Sequence, residues 1–346
     1  MIKILVTGAS GFIGSHTCLL LLNKGYEVFA LDSFVNSSII ALKKVLYLSD
    51  KNGNEKNNLH IYKGDIRDKE IVEKIFSDSQ QDGEKISSVI HFAGLKSVSE
   101  SIISPLEYWD VNLKGSINLL KVMEENDCDT LVFSSSATIY GNTKNEKVKE
   151  DTYIDPQNTY GNTKSGVETL LKDLYFSSTL NWSIACLRYF NPIGAHHSGL
   201  IGDDPLLGKS QNIMPSIIDV AKGLRKNIEI YGADYNTKDG TGVRDYIHIM
   251  DLANAHVKAL YHLNKSAGIN IFNLGTGKGF SVMELINTFE NVNGIHIPTK
   301  IIKRRRGDVS SCYADPSKSN NVLKWQTKMD LAKMCSSAWE FARFNN

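Results

Sequence analysis

A tyrosine and a lysine lie four positions apart in the segment Tyr160–Lys164, which reads Tyr-Gly-Asn-Thr-Lys. On a helix, residues at positions i and i+4 share one face. A free tyrosine has a pKa of about 10 and is a poor base at neutral pH, but a nearby ammonium group favours its phenolate form. The pair therefore predicts that Tyr160 takes a proton from a hydroxyl group with the help of Lys164. Because Tyr-x-x-x-Lys also arises by chance, this assignment depends on its neighbours.

Serine hydroxyl groups precede this pair at the end of an apolar run. Ser134–Ser136 closes the run Thr130–Ser134, which has the composition of a buried strand. Serines at a strand end are often only part of a turn, but Ser136 can supply a hydroxyl group beside Tyr160. Asn112 lies on the predicted helix before that strand. The chain order therefore favours one catalytic cluster over four unrelated polar residues.

A glycine-rich segment, Gly8–Gly14, follows the first apolar run and opens a helix, with the spacing G-x-x-G-x-x-G. Gly8 can take the tight turn, Gly11 lets the backbone approach a pyrophosphate, and Gly14 lets the helix pack closely on the strand. The helix N-terminus favours anions through its free N–H groups. The segment predicts a dinucleotide site, although a plain tight turn is the alternative.

Carboxylates and small residues at the ends of the next strands support this prediction. Asp32 ends the second predicted strand, where a carboxylate binds the adenosine ribose hydroxyls and favours NAD over NADP. Its alternative is a cap or turn residue. Asp65 ends the third predicted strand and either contacts the adenine or caps the helix beginning near Lys69. Phe92–Gly94 ends the fourth and allows a cofactor to approach.

The elements that position these residues alternate between short apolar runs and helical patterns over the first 135 residues. Such alternation predicts an α/β fold with a Rossmann-type, doubly wound parallel sheet. A helix is expected over Gly14–Lys24, after the first strand. The predicted strands are Ile2–Thr7, Tyr26–Leu31, Leu59–Lys63, Ser88–Phe92 and Thr130–Ser134.

The second half of the chain differs in composition from the first. Gly and Pro become frequent around Asn191–Pro215, and turn signals cluster at Gly232–Gly242. We expect an NAD-binding domain over residues 1–190 and a smaller, mixed α/β substrate-binding domain over residues 191–346. Ile269–Gly275 looks like a further strand of the first sheet, so the first domain is expected to be rejoined by about residues 246–276.

Composition excludes several classes of protein. Lys plus Arg is 39 and Asp plus Glu is 38 among 346 residues, a net charge of +1 that argues against a nucleic-acid partner. No apolar run reaches about 18 residues, which argues against a membrane protein, and the N-terminus reads as a strand rather than a signal peptide. The cysteines are odd in number and widely spaced, which predicts no disulfide framework, no metal site and a cytoplasmic location. They are Cys18, Cys128, Cys186, Cys312 and Cys335.

These motifs, taken together, resemble the UDP-glucose 4-epimerase family of the extended short-chain dehydrogenases/reductases. The resemblance covers almost the whole chain and is far more specific than the Gly-rich turn or Tyr-x-x-x-Lys alone. The segments that carry it are Val6–His16, His91–Lys96, Phe133–Gly141, Leu187–Pro192, Gly240–His248 and Arg304–Asp308.

The resemblance implies a reaction and a cofactor. Bound NAD takes hydride from C4 of a UDP-hexose while Tyr160 accepts the O4 proton and Ser136 hydrogen-bonds that oxygen. The 4-keto sugar rotates in the site and receives hydride on its opposite face. This sequence of steps interconverts UDP-galactose and UDP-glucose. The resemblance also implies a homodimer that uses the helix around Pro105–Glu125 and the helix beginning near Tyr160.

Further site residues follow from the resemblance, position by position. Expected cofactor-binding residues are Gly8, Gly11, Phe12, Ile13, Gly14, Asp32, Asp65, Ile66, Phe92, Ala93, Gly94, Lys96, Asn112, Tyr160, Lys164 and Tyr189. Expected substrate-binding residues are Lys96, Ser136, Tyr160, Asn191, Asn212, Tyr231, Arg244, Arg305, Asp308 and Cys312. Tyr231 is expected to pack on the uracil, and the arginines suit a pyrophosphate because their planar guanidinium groups bind oxygens bidentately.

Cys312 stands where family members restricted to non-acetylated sugars carry a bulky Tyr. The smaller side chain predicts a pocket that admits the 2-acetamido group of UDP-GlcNAc and UDP-GalNAc. The alternative is that Cys312 is a small buried hydrophobe and that other loops close the pocket.

Three other functions compete. A sugar-nucleotide 4,6-dehydratase needs an extra acid and base, but Ser136 is followed by Ala137, Thr138 and Ile139, with no carboxylate. A UDP-glucuronate epimerase or decarboxylase needs a cation for the C6 carboxylate, and its motifs fit less well. A non-catalytic NAD-sensing regulator typically loses the Tyr or the Lys of the pair.

Overall fold

The computed structural model describes residues 1–51, 58–81, 83–143, 147–177, 180–203, 212–305 and 308–344. Its elements are, in chain order, β1 (Lys3–Thr7), α1 (Phe12–Leu22), β2 (Glu27–Asp32), α2 (Ile39–Lys51), β3 (Leu59–Lys63), α3 (Lys69–Ser79), β4 (Ile86–His91), α4 (Val98–Ile103), α5 (Pro105–Trp109), a π-helical turn (Asp110–Lys114), α6 (Gly115–Glu125), β5 (Thr130–Ser134), a 3₁₀ turn (Ala137–Tyr140), β6 (Lys147–Val148), α7 (Thr159–Ser177), β7 (Ser183–Tyr189), β8 (Asn191–Ile193), α8 (Ile213–Ala221), β9 (Ile228–Tyr231), β10 (Val243–Arg244), β11 (Tyr246–His248), α9 (Ile249–Leu263), β12 (Gly268–Leu274), β13 (Phe280–Ser281), α10 (Val282–Asn293), β14 (Thr299–Ile302), β15 (Ser311–Ala314), α11 (Ser317–Leu323) and α12 (Leu331–Phe344).

Seven strands form one parallel sheet in the order β12-β7-β5-β4-β1-β2-β3. Every residue of β1 and of β5 is buried, as expected for strands covered on both faces. The predicted α/β class and the doubly wound parallel sheet are confirmed. The third strand ends at Lys63, so Asp65 lies two residues beyond its end and not on it.

Helices cover both faces of the sheet because successive side chains of a strand point in opposite directions. Ile4 and Val6 join a core with α1, α2 and α9. Leu5, between them, joins the opposite core with α3, α6 and α7. The carboxyl ends of the strands therefore open onto one edge, bordered by helices from both layers.

The second half of the chain forms a smaller core of helices α8, α10 and α12, in which Ile217, Leu285 and Met334 are buried. A small sheet of order β13-β10-β15-β6 lies beside it. Strand β12 pairs with β7 over its whole length, from Gly268 opposite Ser183 to Leu274 opposite Tyr189. The chain therefore returns to the large sheet late, while the limits of the two domains stay a prediction.

Helix α9 has ten of its fifteen residues buried, and it packs between α1 and β7. Among the helices of the described ranges, none combines the length and apolar character that a membrane crossing requires.

Candidate active site

The Tyr160–Lys164 pair lies in the first turns of α7. Asn158 starts this helix, since its Oδ1 accepts the Gly161 N–H over 2.9 Å. Tyr160 and Lys164 are both about 95% buried, with 5% of each side chain exposed. The Lys164 Nζ lies 5.9 Å from the centre of the Tyr160 ring and 4.9 Å from that of Phe133. The pair therefore shares one face, as predicted, and this face is turned to the end of β5.

Hydroxyl groups surround the Tyr160 oxygen. The side chains of Ser136 and Tyr189 lie beside the Tyr160 hydroxyl and act on its pKa. Ser134 donates its Oγ to the Tyr189 hydroxyl over 3.2 Å. Ser136 also caps the 3₁₀ turn by accepting the Thr138 N–H over 3.2 Å. Three predicted catalytic residues, Ser136, Tyr160 and Lys164, are thus brought together where the strands end.

Burial sets the proton affinities of this cluster. It raises the pKa of Tyr160 well above the usual value, while the hydrogen bond from Ser136 acts in the opposite direction. Burial also lowers the pKa of Lys164 to about 8, and the Glu168 carboxylate opposes that shift. The easier ionisation expected for Tyr160 is therefore not supplied by the protein alone. Burial therefore opposes the ionisation of Tyr160 that its pairing with Lys164 predicts.

The Gly-rich turn fits an anion. Gly8 has a φ of +66°, and a Cβ there would lie 2.7 Å from the Ala93 nitrogen. A Cβ on Gly14 would lie 2.2 Å from the Gly8 carbonyl oxygen, so neither glycine can be replaced without moving backbone. Gly11 is the N-cap of α1, and it brings no side chain to the free N–H groups of Phe12 and Ile13. These N–H groups are those that a pyrophosphate would take.

Asp32 fastens this turn to β2. Its Oδ2 accepts the Ser10 N–H over 2.8 Å, and its Oδ1 accepts the Phe34 N–H at 2.9 Å and the Ser37 hydroxyl at 2.7 Å. The carboxylate is 7% exposed. Asp32 is therefore a turn residue as well as a candidate ribose ligand, and the two interpretations of the sequence do not exclude each other.

Asp65 does not cap α3, which was one of its two predicted roles. Asp68 caps the helix instead, by accepting the Glu70 N–H over 3.0 Å. The Asp65 carboxylate accepts three hydrogen bonds from Arg67, which holds the pKa of Asp65 below its usual range. Ile66, next to it, is buried in the core on the α6 side of the sheet.

Asn112 lies in the π-helical turn and ties two parts of the cofactor edge together. Its amide group donates to the Leu95 carbonyl over 3.1 Å and to the Thr163 hydroxyl over 2.9 Å. Its Oδ1 accepts the Leu95 N–H over 2.8 Å. Gly94 fits between Asn112 and Lys164, since a Cβ there would lie 2.9 Å from Asn112 Oδ1. Both amide hydrogens are used within the protein, so this geometry favours positioning over direct contact with a cofactor.

Phe92 and Ala93 line the same edge after β4. The Ala93 N–H donates to the Thr7 hydroxyl over 3.3 Å. The Phe92 ring lies 4.7 Å from that of the buried His256 on α9. These two residues thus connect the Gly-rich turn to the α9 layer.

The second group of predicted residues comes from the smaller half of the molecule. The Arg305 guanidinium lies 5.0 Å from the Tyr231 ring centre, and its Nη2 lies 3.2 Å from the Asp308 carboxylate. Arg244 is paired in register with Cys312 across β10 and β15. Among the described residues, the buried Arg305 Nε has no hydrogen-bond partner, so this group has an unused donor for a ligand. Arg306 and Gly307 of the predicted motif lie outside the described residues.

The remaining predicted residues are more dispersed. Lys96 is exposed in the loop after β4, and Asn191 is exposed at the start of β8. Asn212 is the residue before α8.

Sequence reasoning missed a buried ion pair beside the catalytic cluster, between Glu168 and Arg188. A signal was present, because Glu168 follows Lys164 by four positions and so extends the face that carries Tyr160. Arg188 stands within an apolar strand, where a charged residue is rarely buried without a partner.

The Gly-rich turn on a parallel sheet, with Ser, Tyr and Lys at the strand ends, defines the dinucleotide-binding class of the short-chain dehydrogenases/reductases. The family model described as GDP-mannose 4,6 dehydratase matches residues 5–338. The chain is 46% identical over 342 residues to UDP-glucose 4-epimerase from Bacillus subtilis, covering 99% of this chain and 97% of that one.

Two solved structures are similar throughout. UDP-glucose 4-epimerase from Bifidobacterium longum, in complex with NAD+ and UDP, has a TM-score of 0.92 and 43% identity, covering 99% of this chain and 98% of that chain. The UDP-Glc/GlcNAc 4-epimerase from Campylobacter jejuni has a TM-score of 0.83 and 32% identity, covering 99% and 100%. The chain belongs to the UDP-glucose 4-epimerase family of the extended short-chain dehydrogenases/reductases, which confirms the resemblance found in its sequence.

Proposed function

We propose that this chain catalyses the reversible 4-epimerisation of UDP-galactose and UDP-glucose, with NAD as a retained cofactor. The observation that carries the proposal is the cluster of Ser136, Tyr160 and Lys164 at the end of β5, in a chain 46% identical to a UDP-glucose 4-epimerase. No carboxylate follows Ser136 in Ala137–Ile139, which disfavours a dehydratase despite the description of the family model.

The cofactor edge fits NAD. The N–H groups of Phe12 and Ile13, opened by Gly8, Gly11 and Gly14, would hold the pyrophosphate. Asp32 would bind the adenosine ribose, Asp65 and Ile66 the adenine, and Phe92–Gly94 with Tyr189 would line the nicotinamide half. When bound, NAD supplies the hydride acceptor and donor for C4 and adds a positive charge that favours the phenolate of Tyr160.

The chain's own residues manage the proton. Tyr160 Oη takes the proton of the sugar O4 and later returns it to the same oxygen on the other face of the ring. Ser136 donates a hydrogen bond to O4. Lys164 binds the ribose next to the nicotinamide and, as an ammonium group, favours the phenolate of Tyr160. The fixed geometry of these groups lowers the barrier by holding the reacting atoms in place.

The predicted residues of the smaller half would hold UDP and leave the hexose free to rotate. Arg244 and Arg305 suit the pyrophosphate, Tyr231 the uracil, and Asp308 the ribose. Asn191 and Asn212 from the same half and Lys96 from the facing half would complete the UDP-sugar contacts. Because Cys312 is small and half-buried on β15, UDP-GlcNAc and UDP-GalNAc are proposed as additional substrates. The name of the Campylobacter jejuni relative, a UDP-Glc/GlcNAc 4-epimerase, supports this extension.

A homodimer is also proposed. Ile103 and Leu106 on α4 and α5 are 82% and 83% exposed, and Phe176 on α7 is 80% exposed. Three large apolar side chains on these helices favour an interface, where α5–α6 and α7 would pack against their copies in the partner. A cytoplasmic location is proposed as well, since all five cysteines are free thiols.

The test is to incubate the purified protein with UDP-galactose without added cofactor and to follow the anomeric protons by NMR. We expect conversion to UDP-glucose. A new methyl signal would indicate a 6-deoxy product and hence a dehydratase. No conversion, even with NAD added, would overturn the proposal and direct attention to UDP-glucuronate and dTDP-linked sugars.

A further inference from the structure

A buried polar frame lies directly beneath the catalytic cluster. Glu168 and Arg188 form a bidentate ion pair, with Arg188 Nε and Nη2 at 2.9 and 2.6 Å from the two carboxylate oxygens. Their side chains are only 2% and 1% exposed. This ion pair and the side chains of Ser135, Tyr140 and Asn273 together form the polar frame.

Ser135 and Tyr140 are hydrogen-bonded to the ion pair, and Asn273 is hydrogen-bonded to Tyr140. Ser135 donates its hydroxyl to Glu168 over 2.5 Å. Arg188 Nη1 donates to the Tyr140 hydroxyl over 2.9 Å, and Tyr140 donates onward to Asn273 Oδ1 over 2.6 Å. The frame thereby joins α7, β5, β7, β12 and the 3₁₀ turn in one connected network.

Each catalytic group is one short step from this network. Ser136 follows Ser135 in the chain and opens the 3₁₀ turn that Tyr140 closes. Lys164 lies one helical turn before Glu168, and its ammonium group is bonded to the carbonyl of Ser134, the other neighbour of Ser135. The frame thus fixes the strand end and the helix face that together hold the cluster.

We propose that the Glu168–Arg188 pair is a positioning device for catalysis, in which Glu168 fixes Ser135 and supports the charged form of Lys164. This inference rests on the proposed epimerase function. Stability alone does not explain this pair, because replacing a buried ion pair by well-packed apolar residues is often neutral or stabilising.

The electrostatic part of the proposal agrees with the surroundings of Lys164. Within the described ranges, the titratable groups that interact with Lys164 are Tyr160 and Glu168 on its own helix and His91 from the end of β4. Burial lowers the pKa of His91 to about 3, so this imidazole is neutral at working pH. Arg188, from β7, is bonded to Glu168 itself. The Glu168 carboxylate is therefore the negative charge that opposes deprotonation of Lys164.

The experiment compares Glu168→Gln with Glu73→Gln, the same chemical change at an exposed ion pair with Lys69 on α3. Epimerisation of UDP-galactose is measured between pH 6 and 10, and folding is checked by circular dichroism and thermal unfolding. In Glu168→Gln the pKa of Lys164 falls further, so we expect the alkaline loss of kcat to begin at lower pH. Glu73→Gln should retain the wild-type profile. A folded Glu168→Gln protein with the wild-type profile would overturn the electrostatic part.

Two more variants keep the proposal testable if Glu168→Gln does not fold. The double variant Glu168→Met with Arg188→Met removes both charges at similar volume, and we expect it to fold but to lose at least about tenfold in kcat. Ser135→Ala removes one hydrogen bond, and we expect a loss of about fivefold in kcat with little change in KM. Wild-type kcat in Ser135→Ala, or in a folded double variant, would overturn the positioning role. Inactivity of the wild-type protein would instead defeat the proposed function.

Discussion

The Lys164 ammonium group donates a hydrogen bond to the main-chain carbonyl oxygen of Ser134 over 2.8 Å. This contact connects the catalytic helix α7 to the last residue of β5, inside the protein. It places a positive charge next to the serine run and fixes the distance between the helix and the strand end. Lys164 therefore has a structural partner even before any ligand binds.

Replacing Lys164 by Met tests this arrangement. Met keeps the length and the burial of the side chain but removes the charge and the hydrogen bond. A charged hydrogen bond contributes about 1.5–3 kcal/mol, so we expect kcat to fall by at least about tenfold in the NMR assay. Lys172→Met, on the same helix, is the control and should leave kcat unchanged. A Lys164→Met enzyme within twofold of wild type would contradict the proposed role.

Three buried histidines predict a loss of stability in acid. Burial lowers the pKa of His16 and of His91 to about 3, and that of His256 to about 4. In the unfolded chain these groups titrate near pH 6.5. Below that pH the unfolded state binds protons that the folded state does not bind. The stability contribution is therefore present above pH 6.5 and is lost as the pH is lowered.

At pH 5.5 the three groups together cost about 4 kcal/mol of the free energy of unfolding. We expect the melting temperature to be about 5–6 °C lower at pH 5.5 than at pH 7.5, as measured by scanning calorimetry. His256→Gln cannot take up the proton and should show a smaller difference between the two pH values. Equal melting temperatures for the wild-type protein would show that the buried imidazoles do not govern its acid stability.

Cys312 is expected to set the size of the accepted sugar. Cys312→Tyr adds a bulky ring on β15, opposite Arg244, and should reduce kcat/KM for UDP-GalNAc at least about tenfold while UDP-galactose is still converted. Cys312→Ser keeps the size of the side chain and is the matched control. The idea fails if the wild-type protein does not convert UDP-GalNAc, or if the Tyr variant converts it equally well.

The proposed dimer can be tested at Leu106, which is 83% exposed on α5. Leu106→Glu would place a charge in the centre of the expected apolar contact, so light scattering after gel filtration should show a monomer. Leu224→Glu makes the same change at a residue that is 72% exposed elsewhere, and this variant should remain a dimer. A wild-type monomer, or a Leu106→Glu dimer, would contradict the proposed interface.

The large sheet was predictable because parallel strands that are buried on both faces consist of short runs of apolar residues. Leu59–Lys63 and Thr130–Ser134 have the predicted bounds. Helix α1, in contrast, begins at Phe12 and not at Gly14, since Gly11 already serves as its N-cap. Hydrophobic periodicity does not report where a cap falls.

The grouping of Ser136, Tyr160 and Lys164 was predictable from the sequence, but the energetics of this cluster were not. The spacing of Tyr160 and Lys164 placed them on one face, yet the sign of the Tyr160 pKa shift depends on burial, which no local pattern records. Of the two roles predicted for Asp65, the helix cap belongs to Asp68, because both carboxylates stand close to the start of α3. The partner of Arg188 lies 20 positions earlier on another element, and only the assembled fold joins them.

The late arrival of β12 has a consequence for synthesis of the protein on the ribosome. Strand β7 ends at residue 189 and its outer neighbour begins at residue 268. At about 5–20 residues per second, the backbone edge of β7 waits roughly 4 to 16 s for its partner. During that interval it is an open template for strands of other nascent chains. Chaperone demand, and sensitivity to slow codons, should therefore be greatest while residues 190–267 are being made.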